Sequence, residues 1–401
     1  MDELQTVAQA LADRTGRAIA IDDPQMNLIC HTAHDDRIDP HRVASVMKMR
    51  APDEVVAHAF AQGIATAEGP VQIAGLPEIG LLPRICFPVR CQGLLFGYLW
   101  IIEPDGGLPE DEVQAAVDAA ADAGQVLYRE RLVDDLRDSR ERELLRDLIS
   151  DDPAVSTAAA TLLVDEEMLP PECWISVLVT LVSSTEREDL RTTLHAVLRR
   201  AGRRATPLVS LSMARAGGHG VLLLAGRRVP APAELRAVAE QVRDELIKAL
   251  GDSAEVRVGI GPVVAGPNVA STSARRAREA LDVTVKVSGF GSVTAWDELG
   301  VYRLLVQLPL ADLPADAIPD GLRTLMEQDV EGTLLETLEI WLDEGCDSRR
   351  TVARLQVHRT SLYYRLGRIE EITGMSLDSG SARLDLHLGL RLARLQGLLS
   401  R

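Results

Sequence analysis

The sequence predicts a multidomain α+β chain that ends in an all-α module. Three observations predict it. Short paired strands around a helical insert occupy the first hundred residues, strands alternate with helices through the middle, and after Thr333 only helical periodicity remains. At 401 residues the chain has room for two to four domains, each with its own core. Its composition, 46% hydrophobic and 26% charged, is that of ordinary globular domains.

The N-terminal stretch MDELQTVAQALADRTG is acidic and amphipathic rather than basic and apolar, so no signal peptide is expected. No run approaches the roughly 18 apolar residues that span a bilayer. A cytoplasmic protein is therefore expected. Cys30, Cys86, Cys91, Cys173 and Cys346 form no CxxC, and an odd count in a reducing compartment argues for free thiols and against structural zinc.

Residues 2 to 15 read as a helix with Leu4, Val7 and Leu11 on one face and Gly16 at its end. AIAIDDPQMNLICHTA offers two strands around a Pro-containing turn. A helical stretch from Pro40 to Gly63 follows, and RICFPVRCQGLLFGYLWII closes the region as a hairpin turning at Gln92-Gly93. This pattern suggests an α+β sensor module of GAF type. Cys30, His31, His34, Asp35, Asp36 and His41 lie close in sequence, but their spacing fits no standard metal pattern and no metal is expected there. Cys86 and Cys91 read as core thiols.

From Leu108 to Ile149 the sequence favours helix throughout. One long helix there would join the sensor to the next domain and pair with its copy in a dimer. Two helices broken near Gly124 or Asp138 are the alternative.

The middle region reads as strand (WISVLVTLV), helix (Glu186 to Ala201), strand (TPLVSLSMA), glycine hairpin and strand (GVLLLAG). It continues with helix (Pro232 to Leu250), strand (EVRVGIG), helix (Asn268 to Leu281) and strand (SVTAW). Strand, helix, two hairpin strands, helix, strand is the order of a ferredoxin-like palm. Gly259, Gly261 and Gly266 could be offered as a phosphate loop, but no GK[ST] follows and they sit at a strand exit, which fits a turn better. There is no GxSxG and no HExxH, so no catalytic residue is proposed and no cofactor is called for.

After DELGVYRLLVQLP, the stretch LPLADLPADAIPDG reads as a proline-punctuated linker. Thr333 to Leu342 should form a packing helix, with Asp347 placed to cap the next one. Ser381 to Leu399 should close the bundle through a stripe of Leu384, Leu388, Leu392 and Leu395, with His387 near it in a structural role.

TVARLQVHRTSLYYRLGRIEEITG, from Thr351 to Gly374, makes two short amphipathic helices with almost no connector. In the second, Leu362, Leu366, Ile369 and Ile372 mark the buried face. The opposite face holds Arg359, Thr360, Tyr363, Tyr364 and Arg368, with Arg365 on its flank. From Ser348 through Ile369 every charged residue is an arginine, a surface that phosphates tolerate and that describes a DNA-reading helix-turn-helix. The same pattern fits an ordinary helical pair whose arginines solvate its surface, in a chain where lysine occurs only at Lys48, Lys248 and Lys286. Net charge is −17, yet from Thr333 to Arg401 ten arginines face nine acids, leaving −18 for the rest. Nucleic-acid contact is thereby confined to the C-terminal module.

These C-terminal motifs, HRTSLYYRLGRIEEITG after TVARLQV and LLETLEIWLDEG, resemble the helix-turn-helix of PucR/CdaR-type bacterial transcription regulators. That family usually carries Asn-Thr where this chain has Thr360-Ser361. The middle region resembles a GGDEF-type nucleotide-cyclase domain, which raises the alternative of an enzyme making a cyclic dinucleotide. Such cyclases need hairpin carboxylates for Mg²⁺, whereas this chain reads Gly217-Gly218-His219-Gly220-Val221, so a degenerate, non-enzymatic palm is expected.

The resemblance implies a sequence-specific DNA-binding transcriptional regulator controlled by a small effector bound in its N-terminal sensor. The expected division is 1–105 GAF-like sensor, 106–150 helical linker, 151–300 degenerate GGDEF-like domain, 301–330 connector and 331–401 helix-turn-helix domain. Arg359, Thr360, Ser361, Tyr364, Arg365 and Arg368 are the expected DNA surface. Double-stranded DNA, an unidentified effector and a second copy of the chain are the expected partners.

Overall fold

A computed structural model describes residues 2–33, 39–103, 107–183, 190–205, 208–287, 289–309 and 317–399. The expected metal-like residues His34, Asp35 and Asp36, the expected helix start at Glu186 and the centre of the proline-punctuated linker lie outside them. The chain divides into two units, Met1–Ser139 and Arg140–Arg401.

The first unit begins with α1 (Asp2–Thr15), β1 (Ile19–Asp22) and β2 (Leu28–His31), then α2 (Pro40–Lys48) and α3 (Asp53–Ala61). A short β3 (Val71–Ile73) precedes the hairpin of β4 (Arg84–Cys91) and β5 (Leu94–Ile102), and α4 follows from Glu110 to Leu148. The five strands form one antiparallel sheet in the order β2-β1-β5-β4-β3. Side chains alternate across it. Ile19, Ile21, Ile85, Phe87, Leu99 and Ile101 pack on α1 and the alanine-rich side of α4. Ala20, Cys86, Tyr98 and Trp100 face the other way, onto Ala51 and Ala59 around α3.

Between the two sequence alternatives for the Leu108–Ile149 region, the structure shows one helix of 39 residues. Gly124 does not break it. A Cβ there would lie 2.4 Å from the Arg90 carbonyl oxygen, so this glycine is where the helix meets strand backbone. Every residue from Arg129 to Arg137 is exposed.

The second unit contains α5 (Pro153–Asp165), β6 (Trp174–Ser183), α6 (Leu190–Arg204), β7 (Val209–Ala214) and β8 (His219–Gly226). It continues through α7 (Pro232–Leu250), β9 (Glu255–Ile260), β10 (Val264–Ala265), α8 (Ala270–Lys286), β11 (Val293–Ala295) and the short α9 (Tyr302–Leu305). The sheet order is β11-β9-β6-β8-β7, with β10 beside β6. Within it β6, β7, β8 and β9 with α6 and α7 have the βαββαβ connection of the expected palm. Strand alternation again feeds two cores. Val177, Val179, Val221 and Leu223 pack on α5, α8 and the last turns of α4. Leu178, Val182, Leu222 and Val258 pack on α6 and α7. Helix α5 was not among the sequence expectations, because its buried Ser156, Ala159 and Ala160 are too small to mark a stripe.

Two of the three glycines that could have been a phosphate loop have a packing role. Cβ atoms at Gly259 and Gly261 would lie 2.1 Å from the carbonyl oxygens of Ala277 and Ser273, so both let α8 press its backbone against β9. Gly259→Ala is expected to destabilise this unit by about 1–3 kcal/mol, the usual cost of overpacking. Thermal unfolding of the full chain would show this, and an unchanged transition would refute the packing account.

The chain ends in α10 (Asp320–Gln328), α11 (Thr333–Asp343), α12 (Ser348–Leu355), α13 (Arg359–Thr373) and α14 (Gly380–Leu395), an all-α bundle. Two expectations need correction. Helix α10 lies partly within the expected linker, and its Leu322 and Leu325 are fully buried in the bundle core. In α14 the buried residues are Ala382, Leu386, Gly389, Leu390, Leu392, Ala393 and Leu395, whereas Leu384 is 58% exposed and Leu388 only half-buried. Leucine occupies both faces of this helix, so leucine spacing alone placed Leu392 and Leu395 correctly but not Leu384; the small Gly389, where a Cβ would come within 2.7 Å of Leu322, marks the packed side.

Candidate nucleic-acid interface

Helices α12 and α13 are set by their caps. The Asp347 carboxylate accepts the backbone N–H groups of Arg349 and Arg350 at 2.8 and 3.0 Å, and these bonds hold its carboxyl below the usual range. Helix α12 stops at Gln356, a left-handed residue with φ 53°, whose N–H returns to the Val352 carbonyl. Two residues later His358 caps α13. Its Nδ1 accepts the Thr360 N–H at 3.3 Å and lies 2.5 Å from the Thr360 hydroxyl.

Leu362, Leu366, Ile369 and Thr373 are buried along α13, and Ile372 is half-buried beside them. Arg359, Thr360, Ser361, Tyr364 and Arg368 are exposed on the remaining surface. The Arg359 guanidinium donates to the Tyr363 hydroxyl at 3.3 Å and lies 5.4 Å from its ring centroid. Ser348 on α12 contacts the same hydroxyl at 3.3 Å, so Tyr363 links the two helices while it orients Arg359. Sequence periodicity gave no role to His358, and it placed Tyr363 on the outer face without including it in the expected DNA surface. The available signals were positional: a cap-competent side chain just before the helix, and an aromatic four residues after an arginine.

Arg365 is placed differently from the other five. It is half-buried and donates to the hydroxyl of Thr337, itself fully buried on α11, at 3.1 Å. Arg368 pairs with Glu371 at 2.7 Å on open surface, an interaction worth little in water and readily exchanged for a phosphate. Arg354 and Arg350 reach Glu344 at 2.9 and 3.7 Å, so part of α12's positive charge is met within the bundle. The α13 N-terminal end therefore offers the concentrated donors. His387 contacts Asp343 at 3.0 Å in a network with Arg391, a structural position.

The palm hairpin carries no such chemistry. Gly217 and Gly218 have φ values of 76° and 77°, which glycine adopts freely, and His219 and Gly220 start β8. The hairpin turn forms, and the two positions after it hold an imidazole and a hydrogen in place of carboxylates. Purified protein with GTP and Mg²⁺ is expected to form no cyclic dinucleotide. Product that disappears when this hairpin is mutated would reverse that expectation. Among the metal-like residues near the N-terminus, Cys30 is buried, with its thiol pushed up to about 11 by burial, and His41 Nε2 contacts the Ile79 carbonyl at 2.8 Å.

A family profile described as "PucR C-terminal helix-turn-helix domain" matches residues 334–392, and one described as "GGDEF-like domain" matches residues 168–283. The chain is 21% identical to the DNA-binding transcriptional activator AdeR of Bacillus subtilis over 98% of this chain and 93% of the relative. It is also 21% identical to the proline-responsive transcriptional activator PutR of the same organism, over 90% and 88%. The purine catabolism regulatory protein of Bacillus subtilis is 38% identical over 24% of this chain and 18% of its own. An all-α C-terminal module with an exposed, donor-rich α13, following a β-rich GGDEF-like palm whose hairpin reads Gly217-Gly218-His219-Gly220, defines a DNA-binding transcriptional regulator. The chain carries the C-terminal helix-turn-helix and the GGDEF-like middle domain that PucR/CdaR-type regulators carry. Among the described residues no helix is long and apolar enough to cross a membrane.

Proposed function

We propose that this regulator is a cytoplasmic homodimer whose two α13 helices read paired operator half-sites under control of a small effector held by the N-terminal sensor. The observation that carries the reading is α13 itself, with Arg359, Thr360 and Ser361 exposed on its first turn ahead of a buried Leu362–Leu366–Ile369 face. Arg359, held by Tyr363, and Thr360, held by His358, are assigned to base edges. Ser361, Tyr364 and Arg368 are assigned to the flanking backbone. Arg365 completes the surface from the side, with one donor committed to Thr337.

A GAF-like identity for the first unit is supported by its five-stranded antiparallel sheet covered by helices on both faces. The proline-responsive relative supports a small effector by analogy. The division into segments 1–105, 106–150, 151–300, 301–330 and 331–401 is retained as a proposal, with α10 working as part of the DNA-binding bundle. Effector occupancy is proposed to act through α4, which supplies Ala116 and Ala123 to one core and Leu145 and Leu148 to another.

Selection of binding sites from random DNA with the full chain tests this. A two-part motif with half-sites spaced by about 34 Å, or a multiple of it, is expected. Recovery of no enriched sequence would sink the proposal.

A further inference from the structure

The sheet face beneath α2 and α3 is not uniformly apolar. Alternation places Asp22 with Ala20 on β1, Arg84 with Cys86 on β4, and Trp100 with Tyr98 on β5, all on that face. Asp22, Asp39, Arg42 and Arg84 are all buried there.

Two of these charges are fully used. Arg84 pairs with Asp39 and donates to the Leu82 carbonyl, while Asp39 also accepts the N–H groups of Arg42 and Leu82 at 2.7 and 3.1 Å. That pair ties the start of α2 to β4.

Arg42 and the neighbouring Trp100 indole are not. Arg42 is 5% exposed and its guanidinium reaches the Ala18 carbonyl only at 3.5 Å, while its Nε has no hydrogen-bond partner. Trp100 is 4% exposed, and its indole Nε1 likewise has none. Both flank Asp22, whose carboxyl burial pushes up to about 6 against the pull of Arg42; the indole N–H is turned toward it without hydrogen-bonding geometry. Buried donors are nearly always satisfied. Here both act on the same carboxylate, Asp22, and each can only donate.

We propose that this place is a binding site for a small carboxylate-bearing molecule, received by Arg42 and the Trp100 indole N–H. The proposal rests on the sensor reading and gives its effector a chemical class. A carboxylate presents two acceptor oxygens in one plane, which suits a guanidinium edge plus a second donor better than a single water oxygen does. Asp22 opposite would accept a hydroxyl or ammonium of the same molecule. The positive Arg42 and negative Asp22 leave the place near neutral, so a donor-bearing acid is better matched than a bare anion.

The test uses the full chain with acetate, glycolate and glycine as probes, with acetamide and chloride as controls, read by calorimetric titration and thermal shift. Saturable binding of at least one carboxylate probe, absent with both controls, is expected. Trp100→Phe, which keeps the ring and removes the donor, should weaken it tenfold or more, and Arg42→Gln should do the same. No saturable binding by any of the three probes, the result if water alone fills the place, would overturn the site. So would binding that survives Trp100→Phe unchanged. Operator affinity is measured in parallel. Carboxylate binding that leaves operator affinity unchanged would uphold the site while removing the sensor reading, whereas absent binding with intact operator recognition would remove the site alone.

Discussion

Arg359→Ala is expected to lose about 1–3 kcal/mol of operator affinity and to relax sequence preference at one base position, the signature of a lost base contact. The reason is local. Arg359 stands on the first turn of α13, its guanidinium held by Tyr363, so little conformational freedom remains to be lost on docking. Thr360→Ala should act in the same way but more weakly, because a hydroxyl offers one bond where a guanidinium offers a fork. Arg368→Ala should weaken operator and scrambled DNA alike and lower the salt slope by about one. Arg365→Ala should behave differently again. It leaves the buried Thr337 hydroxyl without its donor, so it should lower the unfolding temperature while changing sequence preference least. The measurement is salt-dependent binding of the four variants to a selected operator and to scrambled DNA, with thermal unfolding alongside. Parent-like binding by Arg359→Ala, Thr360→Ala and Arg368→Ala to both DNAs would show that α13 is not the reading element.

How much of this was legible in the sequence depends on what kind of physics each feature uses. Strong periodicity transferred well. The Leu362–Leu366–Ile369 stripe, the Asp347 cap and the turn at Gln92-Gly93, where both residues have positive φ, are local signals and appear in the structure where the sequence put them. Features set by tertiary approach did not transfer. Gly124 looks like a helix breaker until the Arg90 backbone is seen against it, and α10 looks like linker because Pro319, Asp320 and Gly321, all turn-forming residues, stand at its start. The Gly321 position is itself a contact, since a Cβ there would meet the Thr373 carbonyl at 2.1 Å. The α14 error has the same origin: with leucine on two faces, only the neighbouring helix decides which is buried. At the interface, residue types were readable but side-chain commitments were not. Nothing local distinguishes Arg365, which turns to Thr337, from Arg368, which turns outward to Glu371.

The largest expected effect comes from the long helix. Leu136→Glu combined with Val133→Glu is expected to make the protein monomeric and to reduce affinity for a two-half-site operator by a hundredfold or more, while leaving single half-site binding near its original level. Leu132, Val133 and Leu136 are 43%, 64% and 70% exposed in the otherwise polar Arg129–Arg137 stretch of α4. Spaced at i, i+1 and i+4, they share one strip of helix surface. Fully burying a leucine or valine is worth about 1.5–3 kcal/mol, and in a symmetric pair each side chain counts twice. The strip can therefore supply several kcal/mol to association, and every 1.4 kcal/mol is a factor of ten. A glutamate at these positions removes that term and sets like charges against each other across the symmetry axis. Light scattering at micromolar concentration, with and without operator, decides the matter. A strictly monomeric parent protein in both conditions would remove the dimer proposal, and a double variant that stays dimeric would move the pairing surface away from this strip.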